Sequence, residues 1–158
     1  MKIIVLTVLA LSLLLCLYFV FLSVTAEVPN SGMNDGKLKR CPDKPNCVIS
    51  ESEGAVREGQ YIKPLQLHDT GQSDLDQSAQ WKRIAEIVAN EGGMIKQQND
   101  QYLLAEYRSR VFRFVDDIEF RLDANQNVVH IRSASRSGTS DLGVNRKRVE
   151  RIRALLEG

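Results

Sequence analysis

The polar residues best suited to chemistry lie in one stretch of the chain, from Tyr107 to Arg153. Three nearly adjacent carboxylates in this stretch have the residue type that serves in general acid–base catalysis or in orienting guanidinium groups. The run Ser133-Ala-Ser-Arg-Ser-Gly138 adds hydroxyls, a guanidinium and a flexible backbone, a combination that can cradle an oxyanion. We therefore expect one polar site, built from Arg113, Asp116, Asp117, Glu119, Arg132, Ser133, Ser135, Arg136, Asp141, Asn145 and Arg146.

An alternating apolar pattern predicts the strand that carries the three carboxylates. Between Phe112 and Leu122, large apolar residues share one parity, so they are expected to face a core. Asp116 falls on the same parity, and an unpaired buried carboxylate is very costly. Either a bulge at Asp116 and Asp117 turns the side chain outward, or an arginine meets it. The candidate arginines are Arg108, Arg110, Arg136 and Arg146.

The same stretch offers weaker signs of catalysis. His130 is interpreted as part of a cross-strand pair rather than as an acid–base catalyst, although it follows the carboxylates. The serines lack the strand–turn–helix context and the base partner of a serine hydrolase. No phosphate-binding or dinucleotide fingerprint occurs in the sequence. We therefore assign no catalytic residue and expect neither a cofactor nor a metal site.

Strands that surround this stretch follow from local patterns. Turn signals at Asn99-Asp100 and at residues 123–127 separate apolar segments. Pro64 restricts its own segment to the edge of a sheet. Strands are predicted at 61–67, 94–98, 102–107, from 112 to 122, and at 128–135.

Two helices are expected beside the strands. The first carries Trp81 as a core anchor, with apolar residues at helical spacing up to Val88, and Asp76 or Ser78 can cap its start. The second, over 143–158, has an apolar stripe that packs on the sheet and a basic face. That basic face is either solvated or in contact with anionic headgroups. The start of the second helix, close to the Ser/Gly loop, favours anions.

The N-terminal segment is long and apolar enough to cross a membrane. Lys2 is followed by about 22 apolar residues, which predicts a retained signal anchor through residues 3–24. Cleavage after Ala26, as in a secretory signal peptide, is the alternative. Cys16 is interpreted as an apolar residue of the span. The weak charge bias places the N-terminus inside, so the remaining chain is expected on the extracytoplasmic, periplasmic side.

Residues 27–40 are rich in Pro, Gly, Asn and Ser and predict a flexible tether. Cys41 and Cys47 follow, separated by a Pro-containing loop, and in an exported segment they are expected to form a disulfide, with two free thiols as the alternative. Their spacing matches neither a haem attachment site nor a zinc site. The predicted organisation is a signal segment over 1–26, the tether over 27–40 and one globular domain over 41–158.

Several longer motifs resemble one known family. They are Cys-Pro…Pro-Asn-Cys at 41–47, Arg113-Phe-Val-Asp-Asp-Ile-Glu-Phe120, Arg132-Ser-Ala-Ser-Arg-Ser-Gly138 and Asp141-Leu-Gly-Val-Asn-Arg146. Together they are similar to the family called domain of unknown function 1499, over about residues 40–156. The resemblance implies no reaction and no catalytic residue, because the family carries no established activity.

We predict an α+β domain, an antiparallel sheet with two helices packed mainly on one face, behind an N-terminal transmembrane helix or signal segment. The expected function is a membrane-tethered binding or envelope-accessory module, not an enzyme, whose polar site holds an anionic small molecule, headgroup or glycan. One alternative is a hydrolase that uses Asp116, Asp117 or Glu119 as acid and base, with Arg136 stabilising negative charge. Another is a structural partner of a second envelope protein. A net charge of +1 argues against nucleic acid.

Overall fold

The computed structural model describes residues 2–24, 30–67 and 73–158. Helix α1 spans Lys2–Val24 and carries no acidic residue. Within the described residues it is the helix whose length and composition suit a membrane span, over Lys2–Phe21. Its 23 residues extend about 34 Å, against a hydrocarbon core of about 30 Å. The predicted apolar N-terminal helix is confirmed, whereas the possible cleavage site at Ala26 lies outside the described residues.

The domain is built on a six-stranded antiparallel sheet in the order β3-β8-β7-β6-β5, and a short β4 also pairs with β8. A separate hairpin, β1–β2, precedes it. The strands are β1 Met33–Asn34, β2 Lys37–Leu38, β3 Cys47–Ile49, β4 Leu65–Gln66, β5 Met94–Gln98, β6 Tyr102–Arg108, β7 Val115–Asp123 and β8 Val128–Ser135. The predicted α+β fold class and antiparallel sheet are confirmed.

Helices α2, Ser73–Asn90, and α3, Val144–Glu157, cover one face of this sheet. We call this side the helix face; its core includes Trp81 and Ile84 from α2, Ile152 from α3 and Phe120 from β7. Trp81 is a core anchor as expected, and its indole N–H donates to the carbonyl of Asn99 at 3.0 Å.

Helix α2 starts earlier than the sequence indicates. Because the helix is already formed at Ser73, Asp76 and Ser78 lie inside it, and the prediction that one of them caps its start is wrong. Acidic residues suit the first turn of a helix as well as its cap. The type of residue 76 therefore does not show whether the helix begins at this position or before it. After Asn90 the chain turns through Gly92, at φ 87°, and Gly93, where a Cβ would lie 2.8 Å from the Val88 carbonyl oxygen.

The other side of the sheet, which we call the hairpin face, is covered near β3 by the β1–β2 hairpin and the disulfide segment. Leu38, Cys41 and Tyr102 belong to a second buried cluster on this side. The predicted disulfide between Cys41 and Cys47 is confirmed, with an S–S distance of 2.00 Å. Of the predicted tether over 27–40, residues 27–29 lie outside the described residues. The rest includes the β1–β2 hairpin, which contacts the sheet through the buried Leu38 and through the Gly32 N–H, which donates to Glu119.

The strand ladder decides which side chains share a face. Pairing between β7 and β8 is continuous from Asp116 with Ser135 to Asp123 with Val128. Of the two alternatives for Asp116, the bulge at Asp116 and Asp117 is therefore wrong, because no residue interrupts the register. Strand β7 starts only at Val115, so Phe112 and Phe114 lie in the loop 109–114 and not in the strand that the alternation suggests.

Candidate functional site

The eleven residues of the predicted site do not meet in one place. Strict alternation along β7 and β8 sends neighbouring side chains to opposite faces of the sheet. On the helix-face side lie Asp116, Ser133, Ser135, Asp141 and Asn145. On the hairpin face lie Asp117, Glu119, Arg132 and Arg136. Arg113 and Arg146 belong to neither group.

On the helix face, Asp116 is met by an arginine, but not by one of the four candidates. Arg148 of α3 donates to Asp116 Oδ2 at 2.7 Å, and the Ser135 hydroxyl donates to Oδ1 at 2.5 Å. The Arg148 guanidinium also lies 4.4 Å from the centre of the Tyr107 ring. Arg148 could have been found from the sequence, because it lies three residues after Asn145 on the same side of the predicted helix.

Asn145 connects the rest of this network. Its side-chain oxygen accepts from the Ser133 hydroxyl at 2.6 Å and from Arg148 at 2.7 Å. Its amide donates to the Asn46 carbonyl at 3.0 Å and to the Ser135 hydroxyl at 3.1 Å. Asn145 is fully buried, and these four bonds satisfy its donors and acceptors, so it fixes the position of α3 against β8. We call Asp116, Ser133, Ser135, Asn145 and Arg148 the helix-face network.

Sequence reasoning did not include Asn46 in the site. Asn46 lies directly before Cys47, in the loop that the Cys41–Cys47 disulfide closes. Its carbonyl accepts from the Ser135 backbone N–H at 3.0 Å, and its amide donates to the Gly138 carbonyl at 2.9 Å. Its side-chain oxygen is buried without a partner among the described residues. The disulfide segment therefore braces the loop that follows β8.

The start of α3 does not offer an open anion site. The Asp141 carboxylate accepts from the backbone N–H groups of Gly143 at 3.0 Å and Asn145 at 2.7 Å. These are the groups that an external anion would use at a helix N-terminus. Arg146, which the sequence placed in that site, instead donates to the carbonyls of Gly59 at 2.6 Å and Tyr61 at 2.8 Å.

Replacing Asp141 by alanine should lower the free energy of unfolding by about 0.5–2 kcal/mol, the usual effect of removing a helix-capping side chain. Chemical denaturation of the full chain in detergent micelles measures this. Asp141→Asn, which keeps an acceptor oxygen, should lose less. Equal losses in the two variants would contradict a role as hydrogen-bond acceptor at the helix start.

A pocket of about 310 Å³ lies at the edge of the helix-face network. It is bounded by the loop 109–114, by the loop 136–143 and by Phe19 of α1. Its polar lining combines hydroxyls with two carboxylates, and its apolar lining comes from two aromatic rings and a valine. The lining residues are Phe19, Ser109, Phe114, Asp116, Ser135, Ser137, Gly138, Ser140, Asp141 and Val144.

On the hairpin face, Arg136 holds two carboxylates that face each other across β6 and β7. Glu106 and Asp117 are register partners, an arrangement that repels when no cation is present. Arg136 makes a two-point contact with Asp117, at 2.9 and 2.7 Å, and also pairs with Glu106. Burial alone would raise the pKa of Glu106, but Arg136 and Lys96 together hold that pKa below its usual value.

A second buried ion pair lies two residues further along β7. Arg132 donates to Glu119 Oε2 at 2.6 Å, and both side chains are almost completely buried. The other oxygen, Oε1, accepts from the Tyr102 hydroxyl at 2.7 Å and from the Gly32 N–H at 2.5 Å. Burial and the neighbouring Glu119 carboxylate raise the pKa of Tyr102, so its hydroxyl stays protonated and donates. These contacts join the N-terminal hairpin to the sheet.

His130 also lies on the hairpin face, opposite Arg121. Its Nδ1 is 3.1 Å from the Ser50 hydroxyl, which in turn accepts from the Ile131 N–H at 2.8 Å. Burial and the Arg121 charge lower the pKa of His130. This geometry matches a structural cross-strand residue, and it places His130 on the opposite side of the sheet from the pocket. In the part of the chain that the structure describes, no group of three His, Cys, Asp or Glu residues could hold a metal ion.

The sequence of the chain matches a protein-family model. A family model described as "Protein of unknown function (DUF1499)" matches residues 37–156. The chain therefore belongs to the DUF1499 family. This membership assigns no molecular function. Comparisons with curated proteins and with solved structures found no match.

Proposed function

We propose that this protein is a membrane-tethered, extracytoplasmic binding module. Its ligand would be a small hydroxyl-rich headgroup or glycan fragment that carries an anionic group. The observation that supports this proposal is the pocket between the loops 109–114 and 136–143, which places hydroxyls beside apolar side chains. Such a mixture of apolar walls and a few convergent polar groups is typical of small-molecule sites.

The hydroxyls of the pocket have donors to offer to a ligand. Ser109 accepts from the Phe114 N–H at 2.9 Å, and Ser140 accepts from the Leu142 N–H at 3.3 Å. Because a hydroxyl has one donor in addition to its acceptor lone pairs, each of these bonds leaves the O–H group for another acceptor. An oxygen-rich ligand satisfies both donors.

Basic groups for the anionic part of the ligand lie on the loop 109–114, which forms a rim of the pocket through Ser109 and Phe114. Arg110 and Arg113 are exposed on the loop 109–114, and neither forms an ion pair within the described residues. The guanidiniums of Arg132 and Arg136 are instead held by carboxylates on the hairpin face. The anion of the ligand is therefore assigned to the rim and not to these buried arginines.

The arrangement supports binding over hydrolysis. Asp117 and Glu119 are buried in ion pairs on the far side of the sheet, where a substrate in the pocket does not reach them. Of the three carboxylates that the hydrolase alternative uses, only Asp116 lines the pocket. Both of its oxygens are already engaged, Oδ2 by Arg148 and Oδ1 by the Ser135 hydroxyl, so its position is fixed by the helix-face network.

Two features support an extracytoplasmic location. A disulfide between Cys41 and Cys47 persists in oxidising compartments and is rare in the reducing cytosol. An apolar helix with a basic residue before it precedes the domain. The tether and the domain would then lie on the far side of the membrane from the N-terminus.

Ligand binding should raise the thermal unfolding midpoint of the full chain in detergent micelles, followed by far-ultraviolet circular dichroism. The panel comprises glycerol phosphate, sugar phosphates, neutral glycan fragments and inorganic phosphate. The variant Val144→Trp enlarges a side chain that lines the pocket and should abolish the shift.

Val56→Trp is the matched control, because Val56 and Val144 are each 45% exposed and Val56 does not line the pocket. It should keep the ligand-dependent shift. If no compound of the panel moves the midpoint of the wild type, or if both tryptophan variants respond equally, the proposed binding function fails.

A further inference from the structure

The loop between β6 and β7 combines apolar and basic residues at its tip. Residues 109–114 read Ser-Arg-Val-Phe-Arg-Phe, and Arg108 precedes them. Val111 is 76% exposed, and the backbone at Arg113 is in the left-handed region, at φ 60°. An exposed valine beside two phenylalanines does not stabilise a loop in water. This composition therefore indicates that the loop contacts an apolar surface.

The neighbouring loop has the same character. Leu142 is 87% exposed and lies in the left-handed region, at φ 54°, which a leucine rarely adopts. The exposed Val144 follows two residues later. Both loops border one pocket, so their apolar tips lie at the same end of the domain. Strained, exposed apolar residues are concentrated at sites of function rather than in passive loops.

The end of α1 lies against this surface. The Phe19 ring is 4.7 Å from the Phe112 ring and 6.2 Å from the Phe114 ring, between centroids. Phe19 precedes the end of α1 at Val24 by five residues, or about 7 Å along the helix axis. The loop 109–114 therefore reaches the depth of the last turns of a helix that is long enough to cross a bilayer.

We propose that the loops 109–114 and 140–144 insert into the headgroup interface of the membrane that α1 anchors to. Phenylalanine and leucine are typical of the apolar face that interfacial segments bury at the boundary between headgroups and acyl chains. Arg110 and Arg113 would contact lipid phosphates, to which arginine binds with two parallel hydrogen bonds. The occupant of this surface is the bilayer itself, because α1 continues directly from it.

The contact goes beyond the proposed binding function and shares only Arg110 and Arg113 with it; these arginines hold either a lipid phosphate or the anion of a pocket ligand, one at a time. It fixes the orientation of the domain, with the β7–β8 turn at the opposite end of the sheet. Strand β7 has nine residues, so that turn lies roughly 26 Å from the loops. The pocket would open at the level of the headgroups, whatever ligand it takes.

Spin labels can measure the depth of each loop in the full chain reconstituted in nanodiscs. In a Cys16→Ala background, which leaves the disulfide cysteines paired, labels are placed through Val111→Cys, Leu142→Cys and Asn125→Cys. Asn125 is an exposed residue of the distant β7–β8 turn and is the control. Circular dichroism first shows that each variant is folded.

Labels at 111 and 142 should relax preferentially with oxygen, which partitions into lipid, and the label at 125 with a water-soluble nickel chelate. If all three labels respond alike to the nickel chelate, the insertion is overturned. If the labels at 111 and 142 are protected from both reagents, protein and not lipid covers the loops, which also overturns it. None of these results depends on a pocket ligand, so the proposed function stands or falls separately.

The arginines are tested by Arg110→Gln combined with Arg113→Gln, with the label at 111. In nanodiscs with anionic lipids this double variant should reduce the oxygen preference, and in zwitterionic nanodiscs the change should be smaller. If the depth of the label at 111 is unchanged in both lipids, Arg110 and Arg113 do not contact lipid phosphates.

Discussion

Replacing Glu119 by glutamine should lower the free energy of unfolding by about 3–5 kcal/mol, because it leaves the Arg132 charge buried without its carboxylate. Both side chains of this pair are almost inaccessible to water, so solvent cannot replace the lost partner. Glutamine has nearly the same shape as glutamate, which separates the loss of charge from the loss of packing. Chemical denaturation of the full chain in detergent micelles measures the effect.

Two further variants identify the cause. Glu53→Gln breaks the exposed pair with Lys37 and should leave the unfolding free energy nearly unchanged, since water screens that pair. Glu119→Gln combined with Arg132→Met removes the buried charge, keeps a side-chain oxygen for Tyr102 and Gly32, and should recover part of the loss. A double variant as unstable as Glu119→Gln would contradict the explanation by an orphaned charge.

Arg136→Ala should cost about 3–5 kcal/mol at pH 7, because it leaves two largely buried carboxylates facing each other across β6 and β7. Lys96 and Arg108 also contact Glu106, but both are more than a third exposed and do not replace the two-carboxylate contact. Arg136→Lys keeps the positive charge without the planar, two-point geometry and should lie between the wild type and the alanine variant.

The pH dependence distinguishes this mechanism from simple loss of packing. In the wild type, the pKa of Glu106 lies below its usual value, so its stabilisation is present at neutral pH and is lost as the pH falls through that lowered pKa. Without Arg136, burial is the largest influence left on the Glu106 carboxylate, opposed by the more exposed Lys96 and Arg108, so we expect the pKa of Glu106 in the variant to rise above its usual value. The alanine variant should therefore gain stability between pH 7 and about pH 5.

Urea denaturation of the wild type and of Arg136→Ala, at intervals across this pH range, gives the slope of the unfolding free energy against pH for each protein. Parallel pH profiles for the wild type and Arg136→Ala would mean that the arginine stabilises the sheet through its alkyl chain and not through its charge.

The elements that depend on local signals were predictable. The β5–β6 hairpin follows from apolar segments around Asn99-Asp100, and the β7–β8 hairpin from the turn at 123–127. Alternation also indicated that Asp116 lies on the core parity and needs a partner. The same parity already placed Asp116 opposite Asp117 and Glu119, so the separation of the site into two faces could have been read from the sequence.

Contacts between distant segments were not predictable. The hairpin at residues 33–38 has little apolar character of its own, and it is held through the bond from Gly32 to Glu119, 87 residues away. Phe112 and Phe114 continue the strand alternation in sequence, yet they contact Phe19 of α1. In both cases the deciding partner lies in another part of the chain, and local periodicity carries no information about it.

The pairing of β3 with β8 also restricts the order in which the chain can fold. Cys47 pairs with Ala134 and Ile49 with Arg132. The first strand of the main sheet therefore cannot pair until the last strand has been synthesised. During synthesis the segment 30–67 therefore stays without its sheet partners until residue 135 has left the ribosome. Sequence separations of this size slow folding and leave apolar segments exposed for longer. A chain with these pairings completes its main sheet only after β8 is available, on whichever side of the membrane it folds.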